Sequence, residues 1–366
     1  MELYVLNRNR DIIGVVDHYE SLIWTPRYYE VGDFEIYIQA SPEIIELFAI
    51  DNYIVRSTST MVGIIERVEL TTNIESGDYI IVTGRCLKSL LERRIIWKQR
   101  HISGTAENVM RTLISENAIS PALSYRAIPN LVLGASNGWS DSISAQYTGD
   151  NLLDVVIEIC KTFEYGFRVV LNNSNNFEIQ FYKGVNRSYE QTTNPFVVFS
   201  PDFENIISSD YVQDKSTLKN ACNVAGEGEG TERKYYGVGN TSGLDRREIF
   251  VDARDISSDV ETEVETEDGT IETVTSTIPI EEYNELLIER GREALAENQE
   301  TISFEGEVES IRQYVYGEDY ELGDVVQVKN KYGVESASRI IEVIENHDKE
   351  GYSIIPTFEK WEVYDI

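Results

Sequence analysis

Cysteine, histidine and methionine each occur only three times in 366 residues. The cysteines Cys86, Cys160 and Cys222 lie far apart, are odd in number and show no CxxC spacing. That pattern excludes a disulfide framework and argues against a zinc site. They read as buried thiols, and Cys160 sits in an apolar run where a free cysteine behaves as a small hydrophobe. His18, His101 and His347 have no second ligand three or four positions away, so no zinc-protease motif is present. Each reads as a surface or packing residue. No GxSxG elbow occurs. No run approaches the roughly 20 apolar residues of a membrane helix. The N-terminal MELYVLNRNRDIIGVV reads as an amphipathic strand broken by a polar turn rather than as a signal peptide. These absences lead to the expectation of a soluble product of a cytoplasm.

Basic residues are also scarce. Lys and Arg total 32 against 64 Asp and Glu, a net charge of −32. A nucleic-acid binder needs a basic surface that displaces counterions, so this balance excludes one. It serves solubility. It also suits a surface to which passing DNA must not adhere.

What is present is strand. The chain holds 22 tyrosines, and its 41% hydrophobic content is enough for real cores. Apolar and polar residues alternate in GDFEIYIQ (32–39), GDYIIVTG (77–84) and FEIQFYKG (177–184). IESGD (74–78) and NNSNN (172–176) read as turns. Residues 263–276 predict a hairpin hinged at Asp268 and Gly269, with strands nearly all Glu and Thr on one face. Such a hairpin reads as an exposed acidic arm, serving as a partner arm or as a solvated loop.

Helices are few. Residues 86–94 predict a short amphipathic one. Residues 104–118 predict a second, with Thr105 as N-cap and Val109, Met110, Leu113 and Ile114 on one face. Residues 149–163 predict a third, with Asp150 as cap, Leu152, Leu153, Val156, Ile159 and Cys160 inward, and Gly166 as the stop. Residues 280–299 predict a fourth from Tyr283, Leu287, Ile288, Ala294 and Leu295, a loose match that Gly291 weakens. The last block alternates at 303–310, 324–330, 339–345 and 352–360, separated by KNKYG and NHDKEG, the spacing of a small antiparallel barrel or sandwich. The fold class is α+β, mostly β, in a chain long enough for two or three domains.

Catalytic signals are weak. GEGEG (226–230) is followed by no Lys-Ser/Thr pair and opens no helix, so it reads as a loop or bulge. Among so many acids nothing ranks Glu227 and Glu229 above Asp252 and Asp255 as a glycosidase pair. No DxDxDG calcium loop occurs. No catalytic, cofactor or metal residue is assigned.

One short pattern repeats. YEVGD at 29–33 and YELGD at 320–324 each open an alternating run. Glycine relaxes a turn and aspartate bonds nearby amides, so Gly32, Asp33, Gly323 and Asp324 are expected as turn-to-strand entries. The segment IWTPRYYEVGDFEIYI (23–38) resembles the opening of the siphophage tail-hub family, the baseplate hubs and N-terminal parts of tail-associated lysin-type proteins. GRCLKSLLERRIIW (84–97), residues 182–206, residues 223–256 and YELGDVVQV with RIIEV (320–328, 339–343) are similar to further segments of that family in the same order.

The resemblance implies two similar small β-barrel tube domains with α/β inserts, forming a ring in which a trimer mimics a sixfold tube. The expected division is 1–90 for the first barrel, 91–200 for an α+β insert, 201–250 with 300–366 for the second barrel, and 251–299 for the acidic hairpin and helix. It implies a homotrimer at the virion tail tip, made in the bacterial host cytoplasm, that caps the tube. Its partners would be a distal tail protein, the tail tube or tape-measure protein and receptor-binding tip proteins, with transient passage of DNA. Many relatives continue into a lysin domain; the end of this sequence at Ile366 leads to the expectation that none is appended. The alternatives are a receptor- or carbohydrate-binding module, for which tyrosine and tryptophan supply stacking platforms, and a wall-degrading lysin.

Overall fold

The computed structural model describes residues 2–73, 77–265, 271–308 and 313–360. The first block contains β1 (Leu3–Leu6), β2 (Ile12–Val16), β3 (Ser21–Thr25), β4 (Asp33–Gln39), α1 (Pro42–Leu47), β5 (Tyr53–Arg56), β6 (Val62–Thr71) and β7 (Tyr79–Cys86). In β4 and β7 the alternation is realised residue by residue. Phe34, Ile36 and Ile38 face inward from β4, and Ile80 and Val82 from β7, around a core that includes Trp24 and Ile54. The turn expected at 74–78 lies partly outside the described residues.

The middle contains β8 (Arg100–Thr105), α2 (Ala106–Ile114), β9 (Leu131–Leu133), β10 (Ser142–Tyr147), α3 (Leu152–Thr162), β11 (Gly166–Leu171) and β12 (Phe177–Tyr182). Thr105 caps α2 by accepting from the Asn108 amide at 3.4 Å. Three expectations change here. The helix over 86–94 forms as a 3-10 turn, Leu87–Arg93. The cap of α3 is Asn151, which accepts from the Leu153 amide at 2.9 Å, while Asp150 accepts from Thr148 one turn earlier. The stop after α3 is Glu164, left-handed at φ 56°, and Gly166 already belongs to β11. Gly166 is needed for space instead, because a Cβ there would lie 2.2 Å from the Tyr28 ring.

The remaining elements are β13 (Val198–Phe199), β14 (Ile206–Asp214), β15 (Ala221–Ala225), β16 (Tyr235–Val238), β17 (Glu248–Asp252), β18 (Asp259–Glu265), β19 (Ile271–Thr277), α4 (Ile280–Glu297), β20 (Thr301–Val308), β21 (Val325–Lys329), β22 (Glu335–Asp348) and β23 (Gly351–Lys360). β18 and β19 pair antiparallel as a separate two-stranded sheet. The tip at Asp268 and Gly269 lies outside the described residues.

Among the described residues no closed barrel is found in either terminal strand block. Among the described residues their strands belong to one 13-stranded sheet, ordered β14-β20-β23-β22-β3-β4-β7-β6-β5-β1-β2, with β21 and β13 branching from β22. The cause is the length of β22. Its first part pairs with β21, and its far end, Glu345 to Asp348, pairs with β3 from the other block. A strand of 14 residues outreaches its own hairpin and recruits a second partner. The sheet path therefore ends at two strands, β2 and β14.

β15, β16 and β17 form a three-stranded sheet that shares a core with α4, built on Cys222, Val224, Tyr283 and Leu287. Residues 221–252 thus pack with the 280–297 helix, not with the last block. Gly291, which weakens α4 by propensity, has a packing reason. A Cβ there would lie 2.7 Å from Val238 and 2.9 Å from both Cys222 and Val224.

Candidate functional site

The repeated turns meet at the junction between the terminal blocks. Asp33 is the first residue of β4 and pairs with Arg27 at 2.5 Å. Asp324 immediately precedes β21, accepts from the Val185 amide at 2.7 Å, and pairs with Arg187 at 2.8 Å. The glycines differ. Gly323 is left-handed at φ 95°, whereas Gly32 is required sterically, since a Cβ would sit 2.5 Å from the Thr25 carbonyl oxygen. Tyr28 links the two turns. Its amide donates to Ile341, and its buried ring lies where a Cβ on Gly323 would fall.

Lys88 clasps the first turn from below. It is 4% exposed, and its Nζ donates to the carbonyls of Arg27 (2.8 Å), Tyr28 (3.0 Å) and Glu30 (2.9 Å). The ammonium lies 4.3 Å from the Phe167 ring centre. Burial lowers its pKa to about 8. Arg339 performs a similar task from the last block, donating to the Gly323 carbonyl at 2.9 Å and to Glu164 at 2.7 Å. Where β22 meets β3, Arg56 and Glu345 form an ion pair at 2.5 Å with side chains only 3% and 4% exposed. Tyr352 donates its hydroxyl to the same carboxylate at 2.6 Å. Of these, the Arg56–Glu345 pair joins the two terminal blocks, Lys88 holds the first turn within its own block, and Arg339 ties the second turn to Glu164 in the middle of the chain.

A cavity of about 210 Å³ lies between α3 and α4, lined by Glu30, Asp154, Glu158, Lys161, Glu293 and Glu297 among others. Tyr147 donates to Glu293 at 3.2 Å, and Arg290 stands 3.4 Å from the same carboxylate. Burial raises Glu158 to about 7, with the Glu297 charge adding to the shift. Burial also raises Glu293 well above the usual carboxylate range, with the Glu158 charge adding to it. Among the described residues no cluster of three or more His, Cys, Asp or Glu has the arrangement to hold a metal ion.

The remaining candidates are dispersed. His18 is exposed and His347 packs against Tyr19 in edge contact at 5.4 Å, while His101 stands 3.6 Å from Glu282. All three cysteines are free and buried. In the GEGEG loop Glu227 pairs with Lys234 at 2.8 Å and accepts from the Ser258 amide at 2.9 Å, which anchors the root of β18. Asp252 pairs with Arg233 and Asp255 with Arg290. No helix of the described residues is long and apolar enough to cross a membrane.

Sequence reasoning missed Lys88, the Arg56–Glu345 pair and the buried glutamates. Lys88 had a readable signal, a lysine flanked by Leu87, Leu90 and Leu91 in a segment otherwise turned inward. The others depend on contacts across nearly 300 positions or between separate helices, for which periodicity carries no information.

Comparison with known proteins follows the same lines. The family described as siphovirus ReqiPepy6 Gp37-like protein matches residues 2–358. Among curated proteins no sequence match is found. A tail protein from Neisseria meningitidis MC58 superposes with a TM-score of 0.60 at 14% identity, covering 98% of this chain and 96% of that one. The 43 kDa tail protein of prophage MuSo2 from Shewanella oneidensis gives 0.59 at 11%, covering 98% of both chains. Prophage tail protein gp18 from Listeria monocytogenes EGD-e gives 0.55 at 11%, covering 100% and 96%. At these identities the likeness is one of fold. The family match over nearly the whole length, together with that fold, shows that the chain belongs to the siphovirus ReqiPepy6 Gp37-like family and is a structural protein of the phage-tail type.

Proposed function

We propose that the chain is a tail-tip hub that assembles as a trimer, caps the tail tube, lets DNA pass on opening, and anchors distal-tail, tape-measure or receptor-binding components. One observation carries the reading: one continuous sheet joins both terminal blocks, has β2 and β14 at the ends of its path, and is bridged by the buried Arg56–Glu345 pair. A plate of this kind suits load-bearing wall construction better than catalysis. The repeated turns at Gly32–Asp33 and Gly323–Asp324 mark the two similar faces that three copies would present as six. The domain division 1–90, 91–200, 201–250 with 300–366, and 251–299 belongs to this reading.

Net charge supports the same role. Three copies at −32 each carry −96. Acidic residues lining a channel repel phosphates, so DNA slides rather than adheres. Cryo-electron microscopy of the tail, with the chain labelled, tests the position. A threefold ring at the tip with an acidic lumen is expected; a basic lumen, or a location elsewhere on the particle, would overturn the proposal.

A second reading has one observation in its favour. Trp97 and Tyr125 are exposed, and the Arg126 guanidinium lies 4.6 Å from the Trp97 ring centre. An exposed aromatic platform of this kind can stack on sugar rings. Glycan-array binding by the purified chain, lost in Trp97→Ala, would favour it.

A further inference from the structure

Four arginines stand apart from the acids of this acidic chain. Among the described residues Arg10, Arg93, Arg94 and Arg126 have no carboxylate within ion-pair distance, whereas their neighbours Arg8, Arg85 and Arg100 pair with Asp51, Glu92 and Glu116. Arg94 and Arg126 donate to backbone carbonyls instead, Arg94 to Arg93 at 2.7 Å and Arg126 to Ile95 at 2.7 Å. Burial, then the like charges of Arg126 and Arg93, lowers the Arg94 pKa. Arg93 also lines a hollow of about 160 Å³ with Arg8, Asp51 and Tyr53, and the charges of Arg10 and Arg93 both reach Tyr53. Ile95, Trp97, Leu123 and Tyr125 are exposed beside this group, with the Arg126 guanidinium over the Trp97 ring. Aromatic residues and arginine are the types enriched where proteins dock. A neutral sugar on this face would leave the arginine charge without a partner.

The same chain carries the opposite surface. In the cavity between α3 and α4, Glu30 pairs with Lys161 at 2.5 Å and Glu293 with Arg290 at 3.4 Å. Asp154, Glu158 and Glu297 line the same cavity and have no cation within ion-pair distance among the described residues. Asp154 and Glu297 are exposed at its mouth. The charges of Glu297, Asp150 and Asp154 add to the burial that raises Glu158. Among the described residues no cluster there has the arrangement to hold a metal ion. A guanidinium from outside suits it, because its planar fork of donors matches carboxylates and its weak hydration makes burial cheap.

We propose that the arginine and aromatic face of one copy docks on the acidic mouth between α3 and α4 of a second copy. Each face carries charge of one sign that its own copy leaves uncompensated, and joining the two relieves both. Net charge does not forbid this. At physiological salt the Debye length is about 8 Å, so groups at the contact outweigh distant ones. The two faces differ, so the contact is head-to-tail, and repetition closes a ring or grows a filament. It rests on copies of the chain associating, as the ring reading does, and specifies which surfaces meet.

Charge exchange in the full-length chain tests it. Arg93→Glu with Arg126→Glu reverses charge on the first face, and Asp154→Lys with Glu297→Lys reverses it on the second. In sedimentation equilibrium at fixed salt, each variant should self-associate at least about tenfold more weakly than the wild type, and an equal mixture of the two should recover the wild-type affinity. Arg67→Glu with Arg246→Glu, which lines neither face and changes net charge as much as the first variant, should leave the affinity unchanged. The Arg93 side chain is exposed, so Arg93→Glu alone repeats the test should circular dichroism show the double variant misfolded. Variants that associate as tightly as the wild type, a mixture no better than its components, or a wild-type chain that stays monomeric would overturn the contact. A labelled single-stranded oligonucleotide that binds the wild type but not the arginine variant, with self-association untouched, would give the face to nucleic acid and overturn it too. If both variants still form a trimer, the docking contact fails and the ring reading stands.

Discussion

Gly291 shows how a single position is judged differently by local and tertiary rules. Helix propensity says that Gly291→Ala in α4 should stabilise by about 1 kcal/mol. The contacts of 2.7 to 2.9 Å awaiting its Cβ say the opposite, because the helix would have to rise off the β15–β16 surface. Overpacking of this kind costs about 1–3 kcal/mol, so Gly291→Ala should lower the chemical-denaturation midpoint. A rise would mean that α4 is free to shift. Lys88 is the second case. Lys88→Met keeps the apolar stem but strands the carbonyls of Arg27, Tyr28 and Glu30. Loss of those charge-assisted bonds should cost on the order of 3 kcal/mol, read as a drop in thermal midpoint. The lysine was visible in the sequence; the three carbonyls it bonds were not, because they lie about 60 positions away.

Pairs of elements are held by buried charge. At the β3–β22 seam, Arg56→Met leaves Glu345 buried with Tyr352 as its donor among the described residues, which should cost about 3–5 kcal/mol. The double variant Arg56→Met with Glu345→Leu should recover most of that loss, since well-packed apolar side chains replace such pairs at little cost. A double variant no better than the single one would show that the pair itself carries the seam. Between α3 and α4 the charges have one sign. Glu158 titrates near 7 in the folded chain and near 4.5 when unfolded. Between those values the folded state holds the extra proton, so stability must fall as pH rises from about 4.5 to 7 and level off above. The slope should amount to on the order of 2 kcal/mol, with Glu293 acting in the same direction. Urea titrations at pH 5 and 7.5 should show it, and Glu158→Gln should flatten it. The helices themselves were legible from their apolar spacing. Their ends were less so, because Asn151 and Glu164 won the cap and the stop from neighbours that looked equally suited.

For the whole molecule, charge opposes assembly. Copies at −32 repel one another over distances that salt screens, the Debye length falling from about 10 Å at 0.1 M to about 3 Å at 1 M. The proposed trimer should therefore tighten about tenfold or more over that range in sedimentation equilibrium. Weakening with salt would mean that attractive charge pairs dominate the interfaces.

The mostly-β α+β class, the strand runs and the acidic surface were determined by the sequence alone, since period-two alternation, turn chemistry and charge are local properties. Tertiary structure decided that the two strand blocks share one sheet. That outcome turns on the last four residues of β22 finding β3 more than 320 positions away. Tertiary structure also decided that 221–252 packs beneath α4, because a half-buried strand has the same alternation whichever neighbour covers it.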